Sequence, residues 1–262
     1  MKNQKNKQDQ PKAEKNGVMP LSGHLRELRN RLGICIVALV AAFLIALYFS
    51  QDLISFLTDM GAVYGYEFIY ISPQELLMQQ FSIALVAAVC LCLPLILYHL
   101  WAFIQPGLKA DENVLFLAAL FSGLLFFVIG ILFAYKVMLP FMLKFLIDIS
   151  SGSGITASIS VEKYLNFLLT IFLVFGIIFE LPVVSVLLTQ MGLLKVEWMK
   201  KGFKLAIVVI FFIAAVVTPP DIVSQTMVAL PMLLLYQFSI LLSSLLLRLH
   251  RKKPAGSEHK DE

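Results

Sequence analysis

Charge is what this chain has least of. Only 15% of its 262 residues are Asp, Glu, Lys or Arg, while 59% are apolar; soluble domains carry roughly 25% charged residues, so an ordinary water-solvated globule is excluded. Cysteine is scarce too. Cys35, Cys90 and Cys92 all lie inside apolar runs and share no ligand spacing with the four histidines, so they read as buried structural thiols. His24, His99, His250 and His259 fall at the ends of apolar runs or in polar tails, and no Ser/His, paired-acid or metal constellation marks an intramembrane enzyme. The first 21 residues hold five lysines, two acids and no apolar core, which is not the pattern of a cleaved signal peptide. They read as a polar tail, and 248–262 as another. An internal repeat of the kind that builds inverted-repeat transporters is also missing.

What the chain does have is long apolar runs. Six windows, about 32–49, 76–97, 114–135, 164–188, 205–217 and 222–247, approach or exceed the length a helix needs to cross a hydrocarbon core of about 30 Å. They do not alternate as spanning strands would. The expectation is an all-α integral membrane protein, with a membrane domain over 22–247 between the two tails. Lys and Arg orient it. Eighteen lie in the N-terminal segment, around Lys109, between Gln190 and Lys204, and in the tail from Arg248; three, Lys136, Lys144 and Lys163, lie on the other side. Both termini are therefore expected in the cytoplasm. The fifth window is short for a span, which calls for snorkelling by Lys200, Lys201 and Lys204 or a locally thinned bilayer.

Few polar residues interrupt this pattern, and each needs a reason. Glu180 sits within the fourth window, where an ionised acid costs on the order of 2.5–3.5 kcal/mol; either it serves function, or it caps backbone freed by Pro182 or bonds two helices. Asp111 and Glu112 place two acids on the otherwise basic side, suiting a cationic partner or capping the third span. If Ser22 caps a short interfacial helix, Leu25, Leu28 and Leu32 form its buried stripe and Glu27 shares a face with Arg31, as a functional acid or as half of a surface pair. Asp221 follows two prolines and reads as a helix cap. Gln225 and Tyr236 lie in the last window, where bonds between helices are expected.

Taken in order, 24–31 (His-Leu-Arg-Glu-Leu-Arg-Asn-Arg), Pro94 through Phe103, Pro106-Gly107-Leu108 with Glu112, Phe133-Ala134-Tyr135 before Pro140, Phe175-Gly176 before Phe179-Glu180-Leu181-Pro182, and Thr218-Pro219-Pro220-Asp221 with Ser224-Gln225 resemble TatC, the polytopic receptor subunit of the twin-arginine protein translocase. The resemblance runs from about Ser22 to Leu247. It implies a glove-shaped bundle of six spans with two short final helices, and no enzymatic chemistry, cofactor, metal or nucleic-acid partner. The implied task is to bind twin-arginine signal peptides of folded cargo and to nucleate export, driven by the proton-motive force, with single-span partners of the TatA and TatB type, in a homo-oligomeric receptor complex embedded in membrane lipid. Glu27, Phe103 and Glu112 match the family's signal-binding surface, and Glu180 its intramembrane acid. Arg29 and Asp111 join the candidate surface; Gln225 and Tyr236 join Glu180 as intramembrane polar or docking candidates. Pro94, Pro106, Tyr135, Pro182 and Asp221 are structural candidates. Three departures stand out: Asn113 in place of a basic residue, Tyr236-Gln237 where an acid is common, and no early proline in the first external loop. Paired carboxylates suit the planar forks of two arginines better than a lysine's point charge. A competing reading is a proton- or ion-coupled small-solute transporter with Glu180 as relay, though only one core acid is present to serve it.

Overall fold

The computed structural model describes residues 21–104, 113–151 and 158–251. Its chain runs α1 (Leu21–Tyr48), α2 (Ser50–Ala62), β1 (Glu67–Ile69), α3 (Gln74–Ile104), α4 (Asn113–Phe133), a π-helical turn (Ala134–Met138), α5 (Leu139–Ser151), β2 (Ser158–Ser160), α6 (Val161–Phe179), α7 (Leu181–Gln190), α8 (Val196–Lys201), α9 (Phe203–Val217) and α10 (Ile222–Arg251). Five stretches are long and apolar enough to cross a membrane, Leu25–Tyr48, Gln74–Leu100, Ala118–Ile149, Val161–Gln190 and Ile222–Arg248; α9 is a shorter apolar helix. The all-helical membrane class holds. Its one exception among the described residues is a two-stranded parallel pair, Glu67 opposite Ser158 through Ile69 opposite Ser160.

Proline and glycine chemistry explains where the helices deviate. Pro140 has no N–H to give and its ring crowds the carbonyl four residues back, and the strain is absorbed in the preceding turn. There Leu139 N–H reaches Ala134 O, a π-type bond, and the helix carries on into α5 without ending at Tyr135. Pro182 sits in the first turn of α7, where a missing N–H costs nothing; the fourth apolar window is thus two helices meeting at Glu180, not one. Pro94 and Pro231 lie inside α3 and α10, which run on through them.

Packing has a clear centre. In the most apolar window of α6 and α7, 61% of residues are buried, against 6% in α1, so α6 is surrounded by protein and α1 leans on α3 with its outer side free. In lipid, helices gain little from hiding apolar surface and associate through close backbone approach. α4 and α6 do so at Gly130, where an added Cβ would lie 2.8 Å from Phe179 Cβ and 2.9 Å from the Phe175 carbonyl oxygen. Phe175, Leu165, Leu168, Leu139, Met142 and Met232 fill the interior around that contact.

At the end of the bundle opposite the termini, hydrogen bonds between span ends and the connecting segments lock a cap. Tyr66 donates to Leu143 O at 2.9 Å and Tyr164 to Leu57 O at 2.8 Å. Burial pushes the Tyr66 hydroxyl up to about 12, keeping it a donor. Glu75, buried, accepts from Ser72 N at 3.1 Å, from Ile71 N at 3.4 Å and from Ser160 Oγ at 3.2 Å. Its bond to the Ser72 amide is the glutamate half of a capping box at the start of α3, and its bond to Ser160 ties that helix start to β2.

Two expectations are corrected here. No separate interfacial helix precedes the first span: α1 is continuous from Leu21, and Leu25, Leu28 and Leu32 are 65%, 41% and 56% exposed. Among the described residues this side of α1 is only partly covered: Leu28 and Leu32 line an open groove facing α3 and stay exposed in it. Of the two final helices expected to be short, only α9, with 15 residues, is; α10 has 30 because its apolar run continues unbroken past the membrane-length segment toward the tail.

Candidate functional site

Besides the fully bonded Glu75 of the cap, two places among the described residues combine charge with burial or enclosure, on different sides of α3. At the end that carries the termini, α3 presents Ile96, His99, Leu100 and Phe103, an i, i+3, i+4, i+7 stripe, toward α1. Together with Leu28, Arg31, Leu32, Cys35, Ile36 and Leu39 they enclose a groove of about 280 Å³. The Nδ1 of His99 is buried without a hydrogen-bond partner among the described residues. At the mouth, Glu27 Oε1 accepts from Arg31 Nη2 at 2.6 Å and Nε at 3.0 Å. About a quarter of each side chain stays exposed, so this i,i+4 pair is worth only a few tenths of a kcal/mol. The pair is therefore cheap to break.

The structure therefore brings Glu27 and Phe103 to one groove, through Arg31. Arg29 is exposed on the outward side of α1. Asp111, Glu112 and Pro106 lie outside the described residues.

The second place is Glu180. It closes α6 and opens α7 with helical φ/ψ, and its side chain makes no capping bond, so the reading of an acid that caps freed backbone does not hold. Only 8% exposed, it leaves Oε1 with no hydrogen-bond partner among the described residues. Oε2 lies where α4 has no side chain, 3.1 Å from the position of a Cβ on Gly123, with Leu97 of α3 beside it. Leu97, Ala119, Val183 and Leu187 make the apolar wall around this corner.

The remaining candidates are engaged within the chain. Asp221 Oδ1 accepts Ser224 N at 2.7 Å, the cap its sequence suggests. Gln225 Nε2 donates to Phe211 O at 2.9 Å, joining α9 to α10. Tyr236 donates to Met199 O at 3.1 Å, joining α10 to α8. Tyr135, in the π turn, stacks on Phe56 of α2 with centroids 5.6 Å apart. Sequence reasoning missed His99 as a groove residue, Gly123 and Gly130 as contact points, and Glu75 as the hub of the cap. The seven-residue glycine spacing and the Ser72-x-x-Glu75 signature were the available signals.

A bundle of apolar helices with a charged, grooved mouth at one end and a buried acid at a helix break is the architecture of a polytopic membrane protein. Comparisons with known proteins sharpen that class. A family model described as "Sec-independent protein translocase protein (TatC)" matches residues 23–231. TatC of Listeria innocua is 35% identical over 240 residues, 88% of this chain and 93% of that one. TatC of Helicobacter pylori is 39% identical over 225 residues, 86% and 87%. A crystal structure described as the twin arginine translocase receptor TatC aligns with a TM-score of 0.78 at 37% identity, covering 85% of this chain and 98% of that one. The chain belongs to the TatC family. It is a subunit of a Sec-independent, twin-arginine protein translocase and a multi-pass protein of the cytoplasmic membrane.

Proposed function

We propose that this chain is the signal-peptide receptor of its translocase, with six crossings and both termini in the cytoplasm. It captures twin-arginine signals of folded cargo at the mouth between α1 and α3, and it works without enzymatic chemistry or a cofactor. The observation that carries this reading is the groove: an apolar slot with Phe103 in its lining and the Glu27 carboxylate at its rim. A signal peptide offers the complementary pattern, paired arginines followed by an apolar stretch. The arginines meet Glu27 and the segment bearing Asp111 and Glu112, where bidentate pairing favours guanidinium over ammonium. The apolar stretch lies along Leu32, Ile36 and Ile96. Export then draws on the proton-motive force and on TatA- and TatB-type single-span proteins, in a receptor complex holding several copies of this chain.

Glu180 serves partner docking in this reading. Its unpartnered Oε1, beside the bare backbone of Gly123, suits a polar side chain from a partner's span, since a shared hydrogen bond reduces the cost of burying either group. Photo-crosslinking tests the receptor role: a probe at Phe103 in the reconstituted full-length chain should label a twin-arginine peptide, and a twin-lysine peptide should not compete. Labelling indifferent to the arginine pair would reject it.

A further inference from the structure

One charged surface is used by neither site. From the end of α7 into the first turn of α9 the chain carries Lys195, Lys200, Lys201 and Lys204 within ten residues, with Glu197 as the only acid among them. All four lysines are exposed, and none is in an ion pair among the described residues.

The backbone beneath them is held firmly. Gly192, at φ +73°, turns the chain out of α7, a conformation that L side chains rarely adopt. α8 then lies on α10, with Val196 and Met199 buried against Ile240 and Tyr236 bonded to Met199 O. This mooring leaves the opposite face of α8 outward. Trp198 projects there, 58% exposed, with Lys195 Nζ 5.5 Å from its ring centroid, and Leu193 is 63% exposed beside it. Immediately after Lys204, α9 turns apolar and outward-facing: Leu205, Val208, Phe212 and Val216 are each at least 64% exposed.

An indole, a cluster of unpaired ammonium groups and an abrupt change to lipid-facing aliphatics form, in sequence order, a transect from headgroup to hydrocarbon. Lysine clusters next to a span attract anionic lipid through surface potential and direct contact. We infer that Lys195, Trp198, Lys200, Lys201 and Lys204 form a binding surface for anionic phospholipid headgroups of the cytoplasmic leaflet, which pins the inner end of α9 in the headgroup layer. The leaflet rests on the orientation proposed above. The consequence is directional. With 15 residues, α9 rises about 22 Å against a hydrocarbon core of about 30 Å. Pinned at Lys204, it leaves the whole shortfall at the Thr218–Asp221 turn, so the bilayer is drawn in from the opposite side.

Quenching of Trp198 tests this surface. The full-length chain carrying Trp101→Phe has Trp198 as its sole indole; it is reconstituted in phosphatidylcholine vesicles doped with brominated phosphatidylglycerol or, separately, brominated phosphatidylcholine. Phosphatidylglycerol should quench with an apparent affinity at least about five-fold higher, the factor expected of one lysine at an anionic surface. Replacing all four lysines with Gln should erase the preference, and replacing them with Arg should keep it. Equal quenching by the two lipids, or a preference that survives the Gln variant, overturns the proposal. So does shielding of Trp198 by an acidic peptide in the absence of anionic lipid, which would assign the surface to a protein partner. The leaflets of these vesicles are alike, so this result is independent of orientation; that is read separately by labelling Leu193→Cys from outside intact cells, in a background lacking the native cysteines.

Discussion

The two ends of this bundle are built on opposite plans. At the cap end, Tyr66, Tyr164 and Glu75 are buried and bonded to carbonyls or a hydroxyl contributed by distant parts of the chain, Glu75 also holding the nearby Ser72 amide. Removing one partner there leaves the other buried and unsatisfied. At the end that carries the termini, the charged groups sit at or near the surface. Glu27 and Arg31 form an ion pair at the surface, and among the described residues the lysines of the α8 region are in none. The difference teaches a division of labour. Buried polar bonds rigidify a frame, whereas recognition of a charged partner needs groups that are accessible and cheap to release.

This contrast is breakable, and the largest effect is expected at the terminal end. Glu112→Lys turns attraction for a guanidinium into repulsion; losing one charge-assisted bond of about 1.5–3 kcal/mol should weaken signal-peptide binding on the order of 100-fold without changing thermal stability. Equilibrium binding to the reconstituted chain decides it, and unchanged affinity removes this segment from the recognition surface.

Between the ends, Gly130→Val should cost about 1–3 kcal/mol of stability, because its side chain has only the Phe175 backbone and Phe179 to push against. Unfolding in detergent measures this. At the cap, Tyr164→Phe should cost about 1–2 kcal/mol by stranding the Leu57 carbonyl, while signal binding stays intact. A cap variant that lost binding but not stability would erase the division drawn here.

Glu180 tests the middle ground. Glu180→Gln keeps a hydrogen-bonding amide and should retain most transport, whereas Glu180→Ala should reduce crosslinking to a TatA- or TatB-type partner several-fold with signal capture unchanged. A transport-dead Gln variant with normal docking would favour proton relay instead. The smallest effect belongs to Glu27→Gln, expected to change stability by less than about 0.5 kcal/mol, since the lost pair is an exposed i,i+4 one. A larger loss would make Glu27 part of the frame.

Sequence alone determined the class, the side preference of Lys and Arg, and the family. Those depend on composition, on apolar run length against bilayer thickness and on motifs in fixed order, all local or additive along the chain. It also supplied the cap at Asp221 and the acid at Glu180. Only tertiary structure decided that Glu180 lies against the bare backbone of Gly123, that Phe103 and Arg31 line one groove, that Tyr236 is committed to α8, and that a short parallel strand pair closes the far end. Each of these joins residues far apart in sequence or on different helices, and rotation about a helix axis decides which face meets which neighbour. An almost uniformly apolar helix carries little periodicity to announce that rotation, so packing had to supply it.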